Sequence, residues 1–290
     1  MRVVGVCAPS NWIQPERLER GTHILKSLGV DVKIHPQVEE RHFQCAGTHE
    51  VRAAALMDLY NDPDVDIIMA AAGGHRALHL MGMLDYSKVN KPLIGFSDTT
   101  ALLNATFHNA GITNIYGPPV ASLADGCNEQ DLETLKTFLH TGALDMHLLA
   151  ELLKEGHSSE ATHIIGGNFC LFNNLMNTDY QPKLEGAVLL LEDDGEAIRN
   201  LDRMLLHLKN QGVFNKAHAV VFGEFTDVTD DEHTGRPFAA DLRSIILEHM
   251  QDVPCAVYTN APFGHGTRLQ PLPIGHAHTL LQKDGLSFSF

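Results

Sequence analysis

The first 116 residues alternate between short apolar runs and stretches of helical periodicity, and this alternation constrains the fold more than any other feature. Apolar runs at residues 2–7, 32–35, 66–71, 92–96 and 112–116 read as strands. Between them, residues 15–28, 49–60, 76–84 and 98–109 read as helices, the first with Leu18, Ile24, Leu25 and Leu28 on one face. Strands that alternate with helices predict a parallel sheet with helices packed on its faces. Active sites of such sheets collect at the carboxyl ends of the strands. Gly73-Gly74 and Ser97 both fall at such ends.

Residues 123–162 read as mostly polar and helical, with a helix at 129–139, and are expected to form a crossover. A second unit follows, with strands at 186–191, 217–225, 255–259 and 280–290 and helices at 197–210 and 239–250. Lys283-Asp284-Gly285 reads as the turn of a terminal hairpin. The expected organisation is an α/β domain at 1–140, a connecting segment at 141–164, and a smaller α/β domain at 165–290.

Charge narrows the partners. Lys and Arg number 21 against 36 Asp and Glu, a formal charge of −15. Such a chain repels phosphate backbones and anionic lipid surfaces, so neither nucleic acid nor membrane is an expected partner. The apolar run before Pro9 is too short for a signal-peptide core, and a cytoplasmic location is expected. Cys7, Cys45, Cys127, Cys170 and Cys255 are odd in number and far apart, and read as free thiols.

Gly95-Phe96-Ser97-Asp98-Thr99 places a serine where an apolar strand runs straight into a helix. A serine on such a turn projects its hydroxyl above the sheet, and the following N–H can donate to an oxyanion. Thr99 stands where G-x-S-x-G would have its second glycine. From these residues alone, Ser97 or Asp98 could equally cap the helix.

A serine nucleophile needs a base, and the base needs an orienting acid. Among 18 histidines, His265 in Pro262-Phe263-Gly264-His265-Gly266-Thr267 is the most site-like, because the flanking glycines imply a tight loop after a strand. Glu192 closes the apolar strand Ala187-Val188-Leu189-Leu190-Leu191. Asp193, Asp194 and Glu196 follow it, and three uses stay open for this run: an acid for the base, an acidic first helical turn, or a hard-cation site.

Gly95-Phe96-Ser97-Asp98-Thr99-Thr100 resembles the nucleophile motif of the LD-carboxypeptidases. Further similar motifs occur in the family's order: Gly73-Gly74, Gly166-Gly167-Asn168, Leu191-Glu192-Asp193 with Glu196, Phe263-Gly264-His265-Gly266, and Leu272-Pro273-Ile274-Gly275. The resemblance implies a flavodoxin-like N-terminal domain, a smaller α/β domain and an active site in the cleft between them. It implies a triad of Ser97, Glu192 and His265, and an oxyanion hole from the N–H groups of Gly74 and Asp98. The implied reaction is hydrolysis of the amide to a terminal D-amino acid, as in murein tetrapeptide recycling, with no metal or cofactor. A homodimer and a small peptide substrate are implied as well. One branch of the family instead cleaves a peptide–nucleotide antibiotic and confers self-immunity.

The sequence departs from the murein-recycling pattern Arg-Gly-Gly-Tyr-Gly at Ala72-Gly73-Gly74-His75-Arg76. The glycines remain, but the arginine before them is replaced by one two residues beyond them. A substrate carboxylate calls for a cationic or N–H partner. Gly73, His75, Arg76, Asn168 and Arg268 are the candidates for contacting substrate. Two expectations of other classes stand beside the serine peptidase: a non-catalytic small-molecule binding protein, and a metal-dependent hydrolase using His276 and His278 with the carboxylates after Leu191.

Overall fold

Strands apolar on both faces demand cover on both sides, and the inner strands of the first parallel stack obey that rule. The computed structural model describes residues 1–156, 160–230, 235, 237–266 and 268–290, so Thr267 of the histidine loop lies outside the described residues. The N-terminal half runs β1 (Val3–Cys7), α1 (Pro15–Ser27), β2 (Asp31–Ile34), α2 (His49–Asn61) and β3 (Ile67–Ala70). It continues through β4 (Leu93–Gly95), α3 (Thr100–Ala110), β5 (Asn114–Tyr116), α4 (Val120–Asp125) and α5 (Glu129–Thr141). Its strands pair in parallel in the order β2-β1-β3-β4-β5, the flavodoxin-like arrangement. Successive strand residues point to opposite faces. Thus Val4, Val6, Ile67, Met69 and Ile94 pack with Leu25, Val120 and Phe138 on one side. Cys7, Ile68 and Leu93 join Leu56, Leu80 and Leu102 on the other.

The chain then forms β6 (Asp145–Leu149), β7 (Glu151–Lys154), β8 (Glu160–Asn168) and α6 (Phe169–Asn173). These are followed by β9 (Ala187–Asp194), α7 (Ile198–Asn210), α8 (Val213–Lys216) and β10 (Ala219–Thr226). Last come α9 (Leu242–Met250), β11 (Ala256–Thr259), β12 (Leu272–Gln282) and β13 (Gly285–Ser289). Strands β8-β9-β10-β11 form a second parallel stack. One strand joins the two stacks: β12 pairs antiparallel with β5 through Leu272–Ile274 and with β8 further along.

Three sequence expectations need correction. Residues 76–84 wind as a 3-10 helix over Ala77–Met83 rather than an α-helix, with Arg76 left-handed at its head and Gly82 inside it. The polar stretch before residue 162 contains strands β6 and β7 and the start of β8 as well as helices. Edge strands such as β6, half-exposed and carrying Asp145 and His147, lack the apolar alternation that marks buried ones. The last long strand begins at Leu272, eight residues early, although Pro273 and Gly275 argue against a strand. Gly275 sits at φ +150, and a Cβ there would lie 2.5 Å from Thr113 Cα, so a glycine is needed where β12 crosses between the stacks. The hairpin around Lys283-Asp284 forms as expected. Among the described residues no helix is long and apolar enough to cross a membrane.

Candidate active site

Strand β4 ends at Gly95, where a Cβ would lie 2.3 Å from Thr99 Oγ1, so the turn can close against it. The chain then makes one tight turn, Ser97–Thr99, before α3. Ser97 holds φ +55, a left-handed conformation that a non-glycine residue adopts at a cost. Neither Ser97 nor Asp98 caps α3. The buried Asp98 carboxylate instead accepts from Ser10 Oγ at 2.6 Å and from the Ala77 N–H at 2.8 Å. It thereby ties the turn to the loops after β1 and β3, while burial raises its pKa above the usual carboxylate value.

Gly73 and Gly74 stand directly against this turn. A Cβ on Gly73 would lie 3.2 Å from Ser97 Cβ and 3.7 Å from Ser97 Oγ. Gly74 sits at φ +128, and a Cβ there would strike the Asn11 side chain at 2.1 Å. Asn11 braces the loop by donating its N–H to Gly73 O (3.2 Å) and accepting the His75 N–H (3.1 Å). Among the described residues the Gly74 N–H has no protein acceptor.

Glu192 is fully buried at the end of β9. Its Oε2 accepts from His265 Nδ1–H at 2.6 Å, and its Oε1 accepts from the Tyr116 hydroxyl at 2.5 Å. An ionised carboxylate only accepts, so these contacts fix Nδ1 as the protonated ring nitrogen. Tyr116 Oη in turn accepts the Ser97 N–H at 3.2 Å. Burial opposes a charge on His265, but the hydrogen bond and charge of Glu192, with the charges of Asp194 and Asp193, outweigh it and raise the pKa above 6.5. The imidazole also packs on Phe96, with ring centroids 4.5 Å apart. Among the described residues no hydrogen bond joins the Ser97 hydroxyl to this imidazole, which rests on the ring of Phe96, the residue before Ser97.

Gly264 lets the histidine loop approach, since a Cβ there (φ +135) would lie 3.0 Å from Glu192 Oε2. Two residues that the sequence did not single out shape this constellation. Tyr116 reads as an ordinary strand residue until its hydroxyl is located. Glu224 brackets the loop by donating its N–H to Phe263 O at 2.8 Å, and its carboxylate packs where a Gly266 side chain would be.

The acidic run diverges rather than converging on one point. Asp193 accepts from Asn168 Nδ2 (2.8 Å), the Cys170 N–H (3.0 Å) and the Asp194 N–H (2.9 Å), yet burial pushes its pKa up to about 6. Asp194 accepts from Thr226, and Glu196 from Asn200. The buried Asn168 amide is engaged at both ends, on Asp193 and as the cap of α6. Arg268 is committed to the buried carboxylate of Asp131, with contacts of 2.6 and 3.0 Å, which ties the segment after the histidine loop to α5. Arg76 is exposed beside Gly73-Gly74 and faces His49. His276 and His278 lie exposed on β12. Among the described residues no three His, Cys, Asp or Glu side chains gather as a metal site.

Comparison with known proteins covers most of the chain. Residues 4–117 match the LD-carboxypeptidase N-terminal domain, and residues 161–280 match the LD-carboxypeptidase C-terminal domain. The murein tetrapeptide carboxypeptidase of Pseudomonas aeruginosa is 30% identical over 96% of this chain and 92% of its own. The muramoyltetrapeptide carboxypeptidase from Oxalobacter formigenes superposes with a TM-score of 0.87 at 25% identity, covering 99% of this chain and 98% of that one. The structure of MccF with glutamyl sulfamoyl guanosine shares the fold, with a TM-score of 0.82 at 20% identity over 100% of this chain and 96% of that one.

Proposed function

Because this chain belongs to the LD-carboxypeptidase family, we propose that it is a serine hydrolase that releases the terminal D-amino acid of a murein-type tetrapeptide. In this reading Ser97 Oγ attacks the carbonyl of the scissile amide. His265 takes the hydroxyl proton on Nε2 and gives it to the leaving amine. Glu192 keeps Nδ1 protonated and stabilises the imidazolium as it forms. The N–H groups of Gly74 and Asp98 receive the oxyanion. Water then enters, gives a proton to His265 and hydrolyses the acyl-enzyme.

One observation carries the reading: the hydrogen-bonded sequence from the Ser97 N–H through Tyr116 and Glu192 to His265, with Ser97 held left-handed at a strand end. Nucleophile–base contacts are often loose without substrate and tighten in the complex, so the supporting geometry is this hydrogen-bonded series together with the packing of His265 on Phe96, the residue before Ser97. Ser97→Ala is expected to lower release of D-alanine from an L,D-tetrapeptide by about 10⁴-fold or more while leaving the fold intact. Retained turnover in that variant refutes the triad.

A second reading draws on the displaced arginine of Ala72-Gly73-Gly74-His75-Arg76 and on the MccF complex with an aminoacyl sulfamoyl nucleoside. In it the same triad cleaves an aminoacyl–nucleotide conjugate. Measuring kcat/KM on both substrate types with one preparation separates the two readings.

A further inference from the structure

Arg52, on α2, is 1% exposed, and no carboxylate pairs with it among the described residues. One guanidinium nitrogen donates to Pro9 O at 2.5 Å and to Arg76 O at 3.4 Å, while Nε has no partner. The other terminal nitrogen lies 2.6 Å from His49 Nδ1. A buried charge without a counter-ion is costly, so its persistence asks for an explanation. The Asp98 carboxylate acts on it only through space, being bonded to Ser10 and Ala77, and Glu50 is exposed.

A second guanidinium faces the same ring. Arg76 Nη2 lies 3.2 Å from His49 Nε2, and the His79 ring stacks on His49 at 4.4 Å. A neutral imidazole has one N–H and one acceptor nitrogen, so His49 can accept from only one of the two arginines. The other guanidinium meets an N–H and is left with unused donors. Arg52 is buried and the closer of the two, which makes it the natural donor to His49. Arg76 is exposed, with the longer contact, and is the one able to turn to a ligand.

This cluster adjoins the Ser97 turn. Arg76 lies two residues beyond Gly74, and the next N–H, that of Ala77, donates to Asp98, the residue after Ser97. The N-terminus of α2 supplies His49 from the carboxyl side of the same sheet and adds a positive field of its own. Two guanidiniums, two imidazoles and a helix N-terminus thus meet beside the candidate nucleophile in a chain of charge −15.

We propose that Arg76, backed by His49 and Arg52 and flanked by His79, binds an anionic group of the substrate close to the scissile amide. The group is a carboxylate of a terminal amino acid or the phosphoryl of an aminoacyl–nucleotide conjugate. Both offer the paired oxygens that a guanidinium fork engages. Binding turns the Arg76 fork from His49 to the anion, leaves His49 accepting from Arg52 alone, and removes the donor–donor contact. The assignment to substrate rests on the reading of Ser97 as nucleophile; the anion site itself does not.

The test compares wild-type enzyme with Arg76→Gln and Arg76→Lys on three substrates: a D-alanine-terminated tetrapeptide, its C-terminal amide, and an aminoacyl phosphoramidate. Arg76→Gln is expected to raise KM about 10- to 100-fold for the substrate whose anion it binds, with kcat changed far less and the amide unaffected. Arg76→Lys restores part of the loss. A fall confined to the peptide acid identifies a carboxylate, and one confined to the phosphoramidate a phosphoryl group. Equal effects on acid and amide overturn the proposal. A second arm needs no turnover: inorganic phosphate is expected to raise the melting temperature of the Ser97→Ala protein and to lose that effect when Arg76→Gln is added. Equal phosphate stabilisation with and without Arg76 overturns the anion site. Absence of turnover on every substrate refutes the hydrolase reading, and the phosphate arm then decides the anion site.

Discussion

The Tyr116 hydroxyl donates to Glu192 Oε1 across 2.5 Å, joining a strand of the N-terminal stack to a strand of the second. Because Tyr116 also accepts the Ser97 N–H, the position of the serine turn depends on a carboxylate 95 residues further along the chain. Burial and the charge of Glu192 drive the phenol pKa well above its ordinary value, so Tyr116 remains a donor at any working pH.

Tyr116→Phe is therefore expected to destabilise the protein by about 1.5–3 kcal/mol, the usual loss for a hydrogen bond to a charged group. It is also expected to lower kcat/KM about tenfold or more, through the freed Ser97 turn. Urea denaturation and steady-state kinetics on the same preparation check both. Unchanged kinetics in a destabilised variant would reduce Tyr116 to a purely structural tie.

In the proposed mechanism the pKa of His265 sets the acid side of the pH profile. Burial disfavours its charged form, but the Glu192 hydrogen bond and the neighbouring carboxylates raise the pKa above 6.5 overall. The base acts when neutral, so kcat/KM is expected to fall with decreasing pH through a midpoint above about 6.5. Glu192→Gln removes the main raising influence. Its midpoint should move downward while kcat drops by about 10⁴-fold. A wild-type midpoint below the ordinary histidine value contradicts the assignment of His265 as base.

Arg268 and Asp131 make a different kind of prediction. Asp131 is fully buried and receives the Arg268 guanidinium and the Leu269 N–H at 2.9 Å. Asp131→Ala strands a mostly buried arginine and should cost about 3 kcal/mol, with the double Ala variant less destabilised than the sum of the singles. Thermal and urea unfolding of the four proteins measure this. Arg268→Gln is expected to leave the ratio of KM between acid and amide substrates unchanged, opposite to Arg76→Gln. A change in that ratio would make Arg268 a substrate ligand after all.

The alternation of apolar runs and helical periods was enough to read the N-terminal parallel stack and β9, β10 and β11 of the second, because strands buried on both faces are apolar throughout. Strand β8, interrupted by His163 and Gly166-Gly167, was missed. Val3–Cys7, Ile67–Ala70 and Ala187–Leu191 carry that signal without help from context. The edge strands β6 and β7 do not, and neither does the start of β12. A half-solvated edge tolerates any residue, and Pro273 and Gly275 are required only by the crossing between stacks.

Ser97, Gly73-Gly74, Glu192 and His265 stood out in the sequence because each ends a strand or sits on a glycine-marked loop, but that local pattern left their roles open and only the family resemblance grouped them. Tyr116 and the pairing of Arg268 with Asp131 did not stand out. What a phenol or guanidinium bonds to is fixed by residues scores of positions away, and no local pattern records it. The sequence by itself determined the strand–helix order of the N-terminal stack and the glycines that flank the turns at Ser97 and His265. Only the tertiary structure decided which carboxylate each polar side chain would meet. Burial removes water as the alternative partner, so those long-range pairings become obligatory once the core closes.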